Sequence, residues 1–324
     1  MGFAKELEFV KKAQKEILLL ARINNLLSWD QQTHMPKKGL EARAEQMAYL
    51  QKSIHEKMIS DDLFKIVGKL LKADLESDDR IMIIKLYRDL SKARKLPKEF
   101  VEELAKVVAK SFSAWLEARE KQDFKIFEPH LEKIVELKKR ESKYMGLEGH
   151  PYNGLLDSFE EGMTAEKLKN RFEVLKQGIL TLLRKIESSK RYREQKLILM
   201  KREFSKEEQI ELSKDVAKRI GLTEDRTQID FSEHPFTNTI DLDDVRITTN
   251  VRKDPMFCFG STIHETGHAL YELQFPEKHR FDVLADAPSL GMHESQSRFW
   301  ENMIALNKPF WKYYFPYILN KTQF

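Results

Sequence analysis

Phe257-Cys-Phe-Gly-Ser-Thr-Ile-His264-Glu-Thr-Gly-His268-Ala-Leu-Tyr-Glu-Leu273 reads as a single apolar helix. Four residues turn a helix by about 400°, so His264 and His268 share one face, a turn apart. Gly267, inside that helix, costs about 1 kcal/mol relative to alanine. Bearing that cost beside two histidines predicts that something approaches the backbone closely there. Upstream, Val245, Ile247, Thr249 and Val251 alternate with Arg246, Thr248, Asn250 and Arg252, the period of a half-buried strand. The acidic run Asp241-Leu-Asp-Asp predicts a turn, with residues 237–240 as partner strand, hence one small antiparallel sheet before the key helix. Downstream, helical spacing returns from Ser289 to Leu306.

Further out, residues 3 to about 188 read as successive amphipathic helices. Leu18, Ala21, Ile23, Leu26 and Leu27 keep helical spacing up to Trp29, and Pro36 breaks it. A second helix starts at Leu40. Pro97 and Pro129 suit the first turns of helices over 98–119 and 130–144. Gly162 and Thr164 mark a stop and a new start, with a helix running to about Ser188. The fold class expected is therefore mainly α.

Composition excludes several classes. Of 324 residues 41% are hydrophobic and 33% charged, which is not the charge without apolar content that gives disorder. The net charge of +4 is small, and basic and acidic residues are interleaved, so no basic patch for nucleic acid stands out. No apolar run approaches the roughly 18 residues of a membrane span, and no secretory signal opens the sequence. Cys258 is the one cysteine and has no partner for an internal disulfide, which fits a reducing compartment. A soluble, cytoplasmic protein is expected.

The pair His264 and His268 can reach one Zn²⁺ at roughly 2.0–2.1 Å. Glu265 lies between them, placed to take a proton from a water at the metal without being a ligand, and later to return it to a leaving amine. The plain alternative is a surface histidine pair. Against it stand the apolar neighbours Ile263, Ala269 and Leu270, and the crowding of five of the nine histidines between His234 and His293. A third ligand is needed. Tyr271 and Gln274 exclude the metzincin arrangement. Glu272 lies about 12 Å along the axis from His264, which suits a surface or supporting group better than a ligand. Glu294, in His293-Glu-Ser-Gln-Ser, is the better candidate, ahead of Asp282 and Asp286. Two histidines, one glutamate and an open fourth position make the catalytic zinc pattern.

His234-Pro-Phe, Asp244-Val-Arg-Ile-Thr248, His264-Glu-Thr-Gly-His268 and His293-Glu-Ser-Gln296, in this order, resemble the M32 metallocarboxypeptidases of the Taq and Pfu type. Leu27-Ser-Trp-Asp30, Met35-Pro36, Leu155-Leu-Asp157 and Gly162-Met-Thr164 extend the likeness over nearly the whole chain. The resemblance implies a helical metallopeptidase fold with a long groove, related to neurolysin and angiotensin-converting enzyme. Residues 1–190 would form the groove and residues 191–324 the catalytic region. It implies removal of single residues from the C-termini of peptides, zinc or cobalt as the metal, and commonly a homodimer. Carried over by position, His264, His268 and Glu294 are ligands and Glu265 the general base. Arg246 resembles part of the substrate-facing wall; an ion pair with Asp244 or Asp243 is the alternative. His234 would donate to substrate or oxyanion, or cap the turn made by Pro235.

The likeness has departures. Ala305-Leu306-Asn307 replaces the usual Gly-Arg-Ser, and Asn250 stands where arginine is common. Family members also continue past the position of Phe324 with two further motifs that are not found here. A polypeptide ending there is expected to keep its metal, to hydrolyse peptides poorly, and to bare the aromatics Trp300, Phe310, Trp311, Tyr313, Tyr314, Phe315 and Tyr317 unless a complementing segment covers them. Two rival readings remain open: a zinc endopeptidase or oligopeptidase, and a non-catalytic helical protein that keeps zinc. A structural site has no need of Glu265, which speaks against the second.

Overall fold

The computed structural model describes residues 3–194 and 204–321. Ten helices come first: α1 (Ala4–Thr33), α2 (Leu40–Met58), α3 (Asp61–Leu70), α4 (Ser77–Ala93), α5 (Lys98–Lys121), α6 (Glu128–Met145), α7 (Asn153–Phe159), α8 (Ala165–Ser188), α9 (Lys190–Glu194) and α10 (Lys206–Ile220). Strands β1 (Thr227–Phe231), β2 (Thr237–Asp241) and β3 (Asp244–Thr249) follow, then α11 (Pro255–Glu272), α12 (Leu290–Arg298), a π-helical turn (Phe299–Ala305) and α13 (Lys308–Lys321). No helix among the described residues is long and apolar enough to cross a membrane.

The helix starts are set by side chains that satisfy orphan N–H groups. Thr164 Oγ1 accepts from Lys167 N at 3.2 Å to open α8. Ser205 and Glu208 form a reciprocal capping box on α10. Asp254 caps α11 with Pro255 in its first turn, and Ser289 caps α12. Helix α6 stops at Gly146, whose φ of 62° is open to glycine at no steric cost.

Burial joins these elements in three clusters. Val10 of α1 packs with Leu63, Val67 and Leu70 of α3 and Met82, Ile83, Leu86 and Leu90 of α4. Leu212 and Val216 of α10 pack with Phe259 and Ile263 of α11 and with Tyr314 and Ile318 of α13. Val245 and Ile247 of β3 lie against Ala217, Leu222 and Ala269. The aromatic tail is thus not bare as expected. Tyr314 is 1% exposed, because α13 folds back onto the α10–α11 pair, while Phe299, Met303, Leu306 and Tyr313 do stay exposed. Helix α8 has no buried side chain, and Phe172, Leu175, Ile179, Leu182 and Ile186 on one of its faces are all exposed.

The sheet corrects the expected antiparallel pair. Its order is β1-β3-β2, with β2 antiparallel to β3 as the alternation predicts but β1 parallel to β3, pairing Thr227 with Val245 and Phe231 with Thr249. Strand β1 is only five residues long and lies between two irregular segments, so its period of two is too brief to stand out. The β2–β3 hairpin folds back so that β3 is central, which leaves its far edge for β1. Helix α1 braces the outer strand: Asn25 Nδ2 donates to Thr239 O (2.9 Å), Asn238 Nδ2 donates to Asn25 O (2.7 Å), and Trp29 meets Phe236 edge-on at 5.5 Å.

Candidate metal centre

Helix α11 is anchored by the fully buried Thr262, Ile263, Thr266 and Ala269. That fixes the opposite face, where the rings of His264 and His268 stand with centroids 5.0 Å apart at 82°. Helix α12 brings Glu294 to them: its Oε2 lies 3.5 Å from His264 Nε2 and 3.3 Å from His268 Nε2. Three ligand atoms from these residues all lie within 4.8 Å of one another, the one such group among the described residues. Asp282 and Asp286 are elsewhere, the first bonded to His279 at 2.9 Å and the second 3.7 Å from Lys85.

The donor chemistry suits a cation. His264 Nδ1 lies 2.8 Å from Glu301 Oε2, and a carboxylate only accepts, so the proton sits on Nδ1. His264 Nε2 is then the ring nitrogen turned to Glu294 Oε2, so the imidazole and the carboxylate present a nitrogen and an oxygen to one point. Burial, together with His293 and His264, pushes His268 down to about 4, which keeps that ring neutral at physiological pH, as a ligand must be. At Glu294 burial opposes ionisation but is outweighed by Arg298, His264 and Ser297, and the carboxyl is held below its ordinary range. Arg298 Nε donates to Glu294 Oε1 at 2.8 Å and Ser297 Oγ to Oε2 at 3.1 Å.

Glu265 is 6% exposed, and its carboxylate meets the sheet beside the ligand set. Thr237 Oγ1, at the start of β2, donates to its Oε2 at 2.7 Å. Burial pushes this carboxyl above the ordinary range, with the threonine bond opposing. A buried carboxylate with a raised pKa beside a cation site is suited to accept a proton and give it back.

The remaining candidates sit as follows. Arg246 makes a two-point pair with Asp244, both contacts 2.8 Å, and lies 5.8 Å from the centre of the Trp29 ring. Asp243 pairs with Arg226 instead. His234 is exposed and adjoins the buried Pro235, three residues before Thr237. Glu272, expected at the surface or in support, is only 7% exposed: its Oε1 lies 2.6 Å from His293 Nε2, and the His293 ring stacks on His268 at 4.4 Å. Sequence reasoning did not single out Thr237, His293 or Glu301. Of these, Glu301 had a signal, since it follows Glu294 by two turns on one face.

The close approach predicted at Gly267 is present. A Cβ there would stand 2.7 Å from Ser297 Cα and 2.9 Å from Gln296 O, so the backbones of α11 and α12 meet at this residue. Gly267→Ala is expected to lower stability by about 1–3 kcal/mol through overpacking, more than the helix propensity it gains. Thermal unfolding checks this: an unchanged or raised melting temperature would show that the crossing has slack.

The family profile for carboxypeptidase Taq (M32) metallopeptidase matches residues 9–323. Thermostable carboxypeptidase 1 of Pyrococcus furiosus is 37% identical over 314 residues, covering 96% of this chain and 62% of its own length. Carboxypeptidase 1 of Bacillus subtilis is 36% identical over 306 residues, 92% of this chain and 61% of its own. Among solved structures, that of BsuCP superposes with a TM-score of 0.95 at 34% identity, covering 98% of this chain and 64% of that one. The apo-Mg structure of the Pyrococcus furiosus carboxypeptidase gives a TM-score of 0.87 at 34% identity, with the same coverage. The chain thus spans somewhat less than two thirds of the length of the relatives it matches. By its sequence over nearly its whole length and by its fold, the chain belongs to the carboxypeptidase Taq (M32) metallopeptidase family.

Proposed function

We propose that this chain carries the metal centre of a zinc carboxypeptidase that releases single residues from the C-termini of peptides. The observation that carries the reading is the convergence of His264, His268 and Glu294 beside the buried Glu265, in a chain of this family. His264, His268 and Glu294 would hold zinc, with cobalt as an alternative. A bound divalent metal supplies Lewis acidity toward a peptide carbonyl and lowers the pKa of water beside it. Glu265 takes the proton of the attacking water at its carboxylate and returns it to the leaving amine, while Thr237 holds that carboxylate in place. Arg246 is the candidate for the substrate's terminal carboxylate, for which Asp244 competes, and His234 a candidate donor at the substrate. The reading includes peptide substrates, a cytoplasmic setting, residues 1–190 as groove wall with 191–324 as catalytic region, and either a homodimer or a complementing segment.

A pair of peptides differing only in a free or amidated C-terminus tests it. Incubation with the zinc-loaded protein is expected to shorten the free peptide by single residues, to spare the amide, and to stop on chelation. Internal cleavage of both peptides would replace this reading with an endopeptidase, and failure to retain zinc would end it.

A further inference from the structure

The two imidazoles of the metal centre are held in different ways. His268 is supported through its face, by the stacked ring of His293, which Glu272 holds in turn. Among the described residues His264 has no such stacked ring on its face. It is held through an atom, the contact of its Nδ1 with Glu301 Oε2 at 2.8 Å.

Glu301 lies within the π-helical turn Phe299–Ala305 that breaks the expected continuous helix after Glu294. Such turns are rare and are frequently found at functional sites. The break begins immediately after Arg298. That arginine reaches back to Glu294 Oε1 through Nε (2.8 Å) and forward to Glu301 Oε2 through Nη1 (3.0 Å). One guanidinium therefore joins the carboxylate that faces the metal position to the carboxylate that faces His264. With Oε1 of Glu294 held by Arg298, Oε2 is left turned toward both imidazoles.

We propose that Glu301 is the positioning residue for His264, fixing the ring in its Nδ1–H form with Nε2 turned to the metal position, and that Arg298 locks Glu301 to Glu294. This rests on the reading of His264, His268 and Glu294 as the metal set. A carboxylate behind a ligating imidazole both selects the tautomer and raises the basicity of the ligand, and losing it costs about 10–100-fold in metal affinity.

The test uses the whole chain, with zinc affinity read by competition against a chromophoric chelator and the histidine tautomers read by long-range nitrogen–proton NMR on metal-free protein. Glu301→Ala is expected to weaken zinc about 10–100-fold and to shift His264 away from the pure Nδ1–H form. Glu301→Gln keeps an oxygen that accepts from Nδ1–H and should recover the tautomer and much of the affinity. Arg298→Ala should give a smaller loss with the tautomer kept. Loss of affinity in both Glu301 variants alike, with an unchanged tautomer, would reduce Glu301 to a packing role. Wild-type affinity in Glu301→Ala would also overturn the proposal. If the unaltered protein binds no zinc, it is the metal reading that falls, and the tautomer in Glu301→Ala still decides whether Glu301 orients the ring.

Discussion

Glu265→Gln is expected to retain zinc and to lose hydrolysis by at least the roughly 10²–10⁴-fold that a positioned acid–base group contributes. The substitution keeps size and shape, and the glutamine oxygen can still accept from Thr237 Oγ1, which now donates to Glu265 at 2.7 Å. Helix α11 and the two imidazoles should therefore not move. What changes is basicity alone. Burial has already raised the Glu265 carboxyl, which favours holding a proton there, and an amide cannot take one up. Zinc content and peptide turnover measured on the same preparation check this. A fully loaded variant that turns over normally would remove Glu265 from the chemistry.

The second large effect is expected at Glu294. Glu294→Ala takes away the one carboxylate of the proposed set and leaves two imidazoles, so zinc should be largely lost on dialysis. It also frees Arg298 and Ser297, which now donate to the carboxylate at 2.8 and 3.1 Å, but the half-exposed Arg298 can rehydrate and the buried Ser297 keeps its 2.7 Å bond to the backbone carbonyl of residue 294. Glu272→Ala is the proper comparison, since it removes a more buried carboxylate only 2.6 Å from His293 but does not touch the ligand atoms. It should cost stability more than zinc. Equal zinc content in the two purified variants would mean that the third ligand has been misassigned.

Much of this was legible in the sequence because it is local. The strand alternation at Val245 to Thr249, the cap at Thr164 and the helical face shared by His264 and His268 are each set within a few residues. Gly267 was legible as a cost without a visible cause, and the cause is another helix. What could not be read depends on partners distant in the chain. β1 is defined by its parallel pairing with β3 rather than by its own short pattern. Glu272 was open between a surface and a supporting role because the partner that decides it, His293, is on another helix. Tyr314 looked exposed because nothing near it in sequence shows that it packs against Leu212 and Phe259. Glu301 carried a faint signal, two turns after Glu294, but the partner that gives it meaning, His264, is on another helix.

The backbone contact at Gly267 also sets a timescale. Where helices meet through side chains, a rotamer change can part them locally. At Gly267, with Ser297 Cα and Gln296 O filling the place of a Cβ, there is no side chain to rotate. Glu294 itself is held by Arg298 and Ser297. Any parting of the two backbones here then needs α11 and α12 to separate as rigid bodies. The rate of that opening should rise on warming as steeply as an unfolding step, about 3–6-fold for every 10 °C, and amide hydrogen exchange along the two helices would read it.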